Sequence, residues 1–288
     1  GTAKKEKRGI AVFVPVWDEK KCIQCNTCSI CCPHAVIRPY LLTDAEKQNL
    51  TTIQAKGKEL KGLNFRIQIS PMDCTSCGVC VNPCPAKALS MVPVGKVLEQ
   101  EKKNVEICNA ATNKGHLVKP TNVRNSQFQL PLLEFNGACP GCGEPAIMKL
   151  LTQLFGDRLY LTAATGCDLI WGATYPFNPW CTNERGHGPA WANSLFEDNA
   201  EFGFGVYNGV IARREQLKPV IERLLSQNKV SGECASLLRE LLQHYYDKKQ
   251  SAEISWKLQP HIKALQDDDG DITRLKSNAD VLSVKSVW

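Results

Sequence analysis

Two cysteine runs of identical spacing constrain this chain more than any other feature. Cys22, Cys25, Cys28 and Cys32 are separated by two, two and three residues, and Pro33 follows. Cys74, Cys77, Cys80 and Cys84 repeat the spacing, again with a proline, Pro85. Three thiolates this close together wrap three corners of a cubane [4Fe–4S] cluster, and in this spacing the fourth thiolate reaches the other cluster. One expected ligand set is therefore Cys22, Cys25, Cys28 and Cys84. The other is Cys74, Cys77, Cys80 and Cys32. The proline turns the chain away after the crossing ligand, because its φ is fixed and it donates no backbone hydrogen bond. Structural zinc uses two short ligand pairs split by a spacer, and disulfide frameworks belong to small secreted chains. Neither fits two four-cysteine runs. Cys31 lies one position out of register and is expected to be a small buried apolar residue, not a ligand.

The repeat predicts a pseudo-twofold α+β ferredoxin-type domain over residues 21–92. Residues 1–20 lead into it, with the apolar run Ile10 to Trp17 as an extended segment covering the clusters. Residues 42–63, polar and lysine-rich, are expected to be a surface insertion with helical propensity. Residues 93–133 are a connector interrupted by Pro93, Pro120 and Pro131 and loop-like at Thr121–Ser126. A second domain is expected over residues 134–288. It opens with an amphipathic helix from Ala146 to Phe155, with Pro145 at the first helical position and Gly156 after the end. A strand at Leu159–Ala163 then runs into a turn at Thr165–Cys167. Helix, strand and Gly-containing turn are the beat of an open α/β sheet, where ligands sit at strand ends. Residues 189–247 read as mostly helical, with candidates at 217–225 and 234–246. Asp267 to Asp271 is expected to be an exposed break, lacking the alternating ligands and distal Glu of an EF-hand loop. Val281 to Trp288 reads as the start of a buried strand, which hints that the chain is a piece of something longer. Its beginning at Gly1 gives the same hint.

At 288 residues there is room for about two domains. The net charge of +6 comes from scattered residues, with no basic stripe interleaved with aromatics, so nucleic acid is not an expected partner. There is no apolar run of about 18 residues and no secretory signal. With 15 cysteines this points to a reducing, intracellular compartment.

Cys139-Pro140-Gly141-Cys142 is a CxxC motif that alone fits a redox pair, half a zinc knuckle or half a cluster site. The neighbourhood favours a cluster, because two others precede it and Cys167 lies only a helix and a strand further on. Cys108, Cys181, Cys234 and His187 have no partner spacing and are expected to be packing or surface groups.

The chain resembles pyruvate:ferredoxin (flavodoxin) oxidoreductase, or pyruvate synthase. The resemblance rests on Glu6 to Ala11, both cysteine runs, Gly137 to Glu144, Ala164 to Cys167, and Gly188 to Gly203. It implies a two-cluster ferredoxin domain followed by a truncated α/β domain that binds thiamine diphosphate. Cys139, Cys142 and Cys167 would hold a third [4Fe–4S] cluster whose fourth ligand lies outside this chain. Glu144 and Cys167 match positions that contact thiamine diphosphate, while the Mg2+ ligands lie outside. The implied activity is oxidative decarboxylation of pyruvate with coenzyme A, the electrons leaving through the clusters to ferredoxin or flavodoxin. No catalytic acid or base is implied within this stretch, and the whole enzyme would be a homodimer in the cytoplasm or in an anaerobic organelle such as a hydrogenosome. Alone, the 288 residues are expected to bind thiamine diphosphate weakly and to decarboxylate nothing. The alternatives are a bare two-cluster electron carrier and a pyruvate oxidoreductase fused to an NADP reductase. Residues 180–187 depart from the family pattern, so Cys181 and His187 are given no role.

Overall fold

The structure, a computed structural model, describes residues 2, 5–173, 177–266 and 269–288. By packing, the chain divides into two units: residues 1–157 with 166–189, and residues 158–165 with 190–288. These units do not follow the boundary expected at residue 133.

In the first unit the repeat is visible in the strand pairing. Strand β1 (Phe13–Trp17) enters the first cysteine run, which contains the single-turn helix α1 (Thr27–Ile30) and exits into β2 (Ile37–Leu42). Strand β4 (Asn64–Ile69) enters the second run and β5 (Leu89–Pro93) leaves it. β1 pairs antiparallel with β5, Trp17 opposite Leu89. β2 pairs antiparallel with β4, Ile37 opposite Ile69. Each half of the repeat thus completes a sheet with a strand of the other half, as the pseudo-twofold ferredoxin expectation requires. Val14, Val36, Ile37, Phe65, Ile67, Ile69 and Leu89 form the core between the runs, with Cys32, Cys74 and Cys80 buried in the same cluster.

Two expectations are corrected here. Residues 42–63 are not a helical surface insertion. A Thr43–Glu46 capping box starts a helix, α2 (Asp44–Lys47), but it ends after one turn at Gln48, whose φ is 45°. The chain then forms β3 (Ile53–Gln54), paired with β4, while Leu50, Ala55 and Leu60 are buried. Apolar side chains at these spacings serve an edge strand and a core, and they outweigh the weak helical propensity between them. Residues 93–133 are not an open connector either. They carry α3 (Leu98–Ala110), which buries Asn104 and Cys108. The single-turn α4 (Val123–Ser126) comes next, capped by the Asn122 side chain. Phe128 then meets Phe65 edge-on, ring centroids 6.2 Å apart. The unit continues through α5 (Glu144–Phe155) and includes α6 (Cys167–Ala173).

The second unit holds a parallel sheet. Strand β6 (Leu159–Ala163) is central, flanked by β7 (Ala190–Asn193) and β8 (Ser286–Val287). The strand start expected near residue 281 is therefore β8, and β7 opens the region expected to be helical. Four helices come after β7: α7 (Asn199–Ser226), α8 (Gly232–Gln243), α9 (Lys248–Ala264) and α10 (Gly270–Ser277). Their core includes Leu217, Ile221, Leu238, Leu241, Leu258 and Leu275. Arg214 is buried beneath it, donating to the carbonyls of Val281, Leu282 and Tyr245. Of the acidic run, Asp267 and Asp268 lie outside the described residues. Asp269 caps α10, and Asp271 pairs with Arg223 at 2.7 Å.

Candidate metal centres

The cysteine loops repeat in conformation as well as in sequence. Gln24 (φ 63°), Asn26 (φ 59°) and Ala35 (φ 53°) in the first correspond to Ser76 (φ 64°), Gly78 (φ 71°) and Lys87 (φ 47°) in the second. Left-handed backbone costs an ordinary residue roughly 1–2 kcal/mol, and five of these six matched positions are not glycine, so both loops follow the same bent path that the surrounding structure must hold.

What each loop encloses is shown by two cavities. One is lined by Cys22, Cys25, Cys28 and Cys84, with Trp17, Ile67 and Leu89. The other is lined by Cys74, Cys77, Cys80 and Cys32, with Pro15, Val36 and Met91. Each cavity gathers three thiols of one run and the fourth thiol of the other, in apolar surroundings. Among the described residues no three His, Cys, Asp or Glu side chains converge on a point that would suit a single ion. Zinc would need its sulfur ligands about 2.3 Å from one centre, whereas a cubane spreads its thiolates around its corners.

Burial makes three of these thiols, Cys28, Cys74 and Cys80, less acidic. It pushes Cys28 well up, reinforced by Cys22, Cys31, Cys25 and Cys84. It pushes Cys80 up with reinforcement from Cys32, and Cys74 up to about 11. Those three thiols hold their protons until metal displaces them. Hydrogen bonds already point at several sulfurs. Gln24 N–H donates to Cys22 Sγ at 3.4 Å, the Thr27 hydroxyl to Cys25 Sγ at 3.3 Å, and Ala88 N–H to Cys84 Sγ at 3.2 Å. In the other set Ser76 N–H donates to Cys74 Sγ at 3.5 Å.

Cys31 is half-buried outside both ligand sets, its Sγ donating to Cys28 O at 3.4 Å. Cys108 and Cys234 are buried, in keeping with packing roles, and Cys181 donates to Pro179 O at 3.4 Å. His187 is exposed.

The CxxC motif forms a tight turn, with Cys142 N–H donating to Cys139 O at 3.0 Å. Gly141 at its tip has φ 82°, and a Cβ there would stand 3.2 Å from Val79 Cγ2 and 3.7 Å from Cys77 Cβ. The turn therefore lies against the second cysteine run. Cys139 is exposed and Cys142 half-buried. Cys167 is the exposed first residue of α6, on a separate element, and Glu144 opens α5 directly after the turn.

The feature that sequence reasoning missed is Lys149. It lies on α5 at 2% exposure, its ammonium donating to the Ser29 carbonyl and, at 3.2 Å, to the Cys32 carbonyl. Burial pushes its amine down to about 8, opposed by the neighbouring sulfurs of Cys32, Cys31 and Cys28 and reinforced by the Arg38 guanidinium. The one signal in the sequence was its spacing from Pro145 and Thr152, which are buried on the same face.

A family of 4Fe-4S dicluster domains matches residues 14–85. Over the whole chain, the pyruvate:ferredoxin oxidoreductase of Moorella thermoacetica is 44% identical and the pyruvate-flavodoxin oxidoreductase of Klebsiella pneumoniae 43%. Along its full length the chain is homologous to pyruvate:ferredoxin and pyruvate-flavodoxin oxidoreductases. It spans about a quarter of the length of these two relatives. The mitochondrial pyruvate dehydrogenase [NADP(+)] of Euglena gracilis is 46% identical over 85% of the chain, which covers 14% of that protein.

Proposed function

We propose that this chain is the electron-carrying segment of a pyruvate oxidoreductase that converts pyruvate and coenzyme A to acetyl-CoA and carbon dioxide. Ferredoxin or flavodoxin would receive the electrons. The observation that carries this is the pair of crossed thiol cavities, one lined by Cys22, Cys25, Cys28 and Cys84, the other by Cys74, Cys77, Cys80 and Cys32.

When bound, iron–sulfur clusters supply one-electron carriers and thiamine diphosphate with Mg2+ supplies the chemistry on pyruvate. The chain's own residues hold, orient and insulate. Trp17, Ile67 and Leu89 line one cavity with apolar surface, and Pro15, Val36 and Met91 the other, which keeps water from the sulfurs. The donors on Cys22, Cys25, Cys84 and Cys74 fix the thiolates and set how readily their centre accepts charge. Cys139, Cys142 and Cys167 would supply three ligands of a third cluster, with Glu144 and Cys167 beside the thiamine cofactor. The seat of Gly141 against Cys77 and Val79 would put that centre next to the Cys74 set, the direction in which an outgoing electron must travel.

The test is anaerobic isolation of the full-length protein that carries this chain. It should contain iron and sulfide in equal amounts, and pyruvate with coenzyme A should reduce a viologen dye. Clusters that dithionite reduces and pyruvate does not would make the protein a bare electron carrier and overturn the proposal.

A further inference from the structure

Lys149 is a deeply buried cation against the first cysteine run that has no anion of its own among the described residues. Its neighbour Arg38 pairs with Glu134 at 3.3 Å. Among the described residues Lys149 bonds only to two backbone carbonyls, those of Ser29 and Cys32. A buried ammonium without a counter-charge is strongly unfavourable, and two neutral acceptors do not remove that penalty. The missing anion is supplied by what the cavities would hold. A thiolate-ligated cluster is negatively charged, and one-electron reduction adds a further negative charge with no proton required. The thiols that Lys149 senses are those of Cys32, Cys31 and Cys28. Cys32 belongs to one ligand set and Cys28 to the other, so the ammonium lies where the two sets interlock.

We propose that Lys149 is a positioning and charge-compensating residue for both centres. Its ammonium pins the Ser29–Cys32 turn that carries the crossing ligand, and it favours the reduced, more negative form of the clusters, most of all the one ligated by Cys32. The lever is net charge at short range in a low-dielectric site, one of the quantities that set cluster potentials. This role presupposes the cluster assignment above but not the activity on pyruvate.

The experiment is a dithionite potentiometric titration of the cluster-loaded protein, followed by electron paramagnetic resonance, with no pyruvate present. Iron and sulfide are counted first, so that failure of the cluster assignment is separated from failure of the inference. Lys149→Gln keeps a hydrogen-bond donor and loses the charge. Lys149→Arg keeps the charge. Lys149→Gln should shift the redox equilibrium at least tenfold toward the oxidised form, a fall in midpoint of about 59 mV for a one-electron couple. Lys149→Arg should stay near wild type. Lys149→Met, if it retains both clusters, should match Gln; if it loses them, that supports the pinning role and the Gln and Arg pair decides the charge. A Lys149→Gln protein with full iron and unchanged midpoints overturns the inference.

Discussion

The proposed crossed ligation makes a demanding prediction for Cys32→Ala. Cys32 is 7% exposed, and its thiol lines the cavity of Cys74, Cys77 and Cys80 although its place in the sequence is in the first run. The bond from Lys149 goes to the Cys32 main-chain carbonyl, so the substitution leaves that anchor intact. The lost ligand is therefore the only direct injury. Each cubane holds four irons and takes one thiolate per corner, so iron should fall by about one atom if a three-iron form survives, and by about four if that cluster is lost. Iron counting alone does not say which cluster was damaged. Thr27→Val supplies the reporter, because the Thr27 hydroxyl donates to Cys25 Sγ at 3.3 Å and valine preserves the shape. If that bond strengthens by about 0.5–1 kcal/mol on reduction, its loss lowers the Cys22-set midpoint by about 20–40 mV. Added to Cys32→Ala, Thr27→Val should still shift the intact cubane. Added to Cys84→Ala, it should shift nothing, because the cubane that survives there is the other one. The reverse result would mean that each run ligates its own cluster and would refute the crossing.

Two further outcomes concern the scaffold. Glu46 is worked on most strongly by burial, which would raise its pKa, but Lys114 at 2.6 Å and the donors of Thr43 and Thr112 outweigh it and hold the carboxyl down to about 2. Stability from a depressed carboxyl is present above the unfolded pKa of about 4.3 and is lost as pH falls toward the folded one. Denaturant unfolding should therefore find Glu46→Gln less stable than wild type by up to about 3 kcal/mol at pH 7, with the difference vanishing near pH 2. Leu60 has no exposed surface, so Leu60→Ala should destabilise the cluster unit by about 2–5 kcal/mol, read as earlier loss of the visible cluster absorbance on heating. A change below about 0.5 kcal/mol would return residues 42–63 to the status of a surface insertion.

The grouping of the eight thiols around two cavities was legible in the sequence, because the ligation expected of such runs demands fixed spacing, and fixed spacing survives any change in the residues between. The strands flanking the runs were legible for a related reason, since a repeat in sequence forces a repeat in pairing. The interior of the unit was harder. Helix α5 has the length its apolar pattern predicts, yet it buries Pro145, Lys149, Thr152 and Gln153 and leaves Ile147 61% and Leu154 38% exposed. Periodicity marks a two-faced helix but does not say which face meets the protein. A lysine on the buried face is read as solvent-facing unless its acceptors are known, and those of Lys149 lie about 120 residues away in sequence. Residues 42–63 failed for the opposite reason. Their apolar residues are too sparse for a periodicity to stand out, although Leu60 is as buried as any side chain in the chain.

The same repeat that makes the two thiol sets alike in spacing leaves them unlike in surroundings. Among the described residues, three of the four thiols in the Cys22 set accept a hydrogen bond, at Cys22, Cys25 and Cys84. In the other set only Cys74 does. That set instead has Lys149 on the Cys32 carbonyl and the Gly141 turn pressed against Cys77. Hydrogen bonds, nearby charge and solvent exposure are the means by which a protein sets a cluster's potential. Two centres built from one motif can therefore differ in potential without any change in their ligands. Such a difference gives an electron a direction along a wire, and here one source lies inside the motif, Thr27, while the others lie outside it: Ala88 beyond the second run, and Gly141 and Lys149 in the segment that leads into α5 and along it.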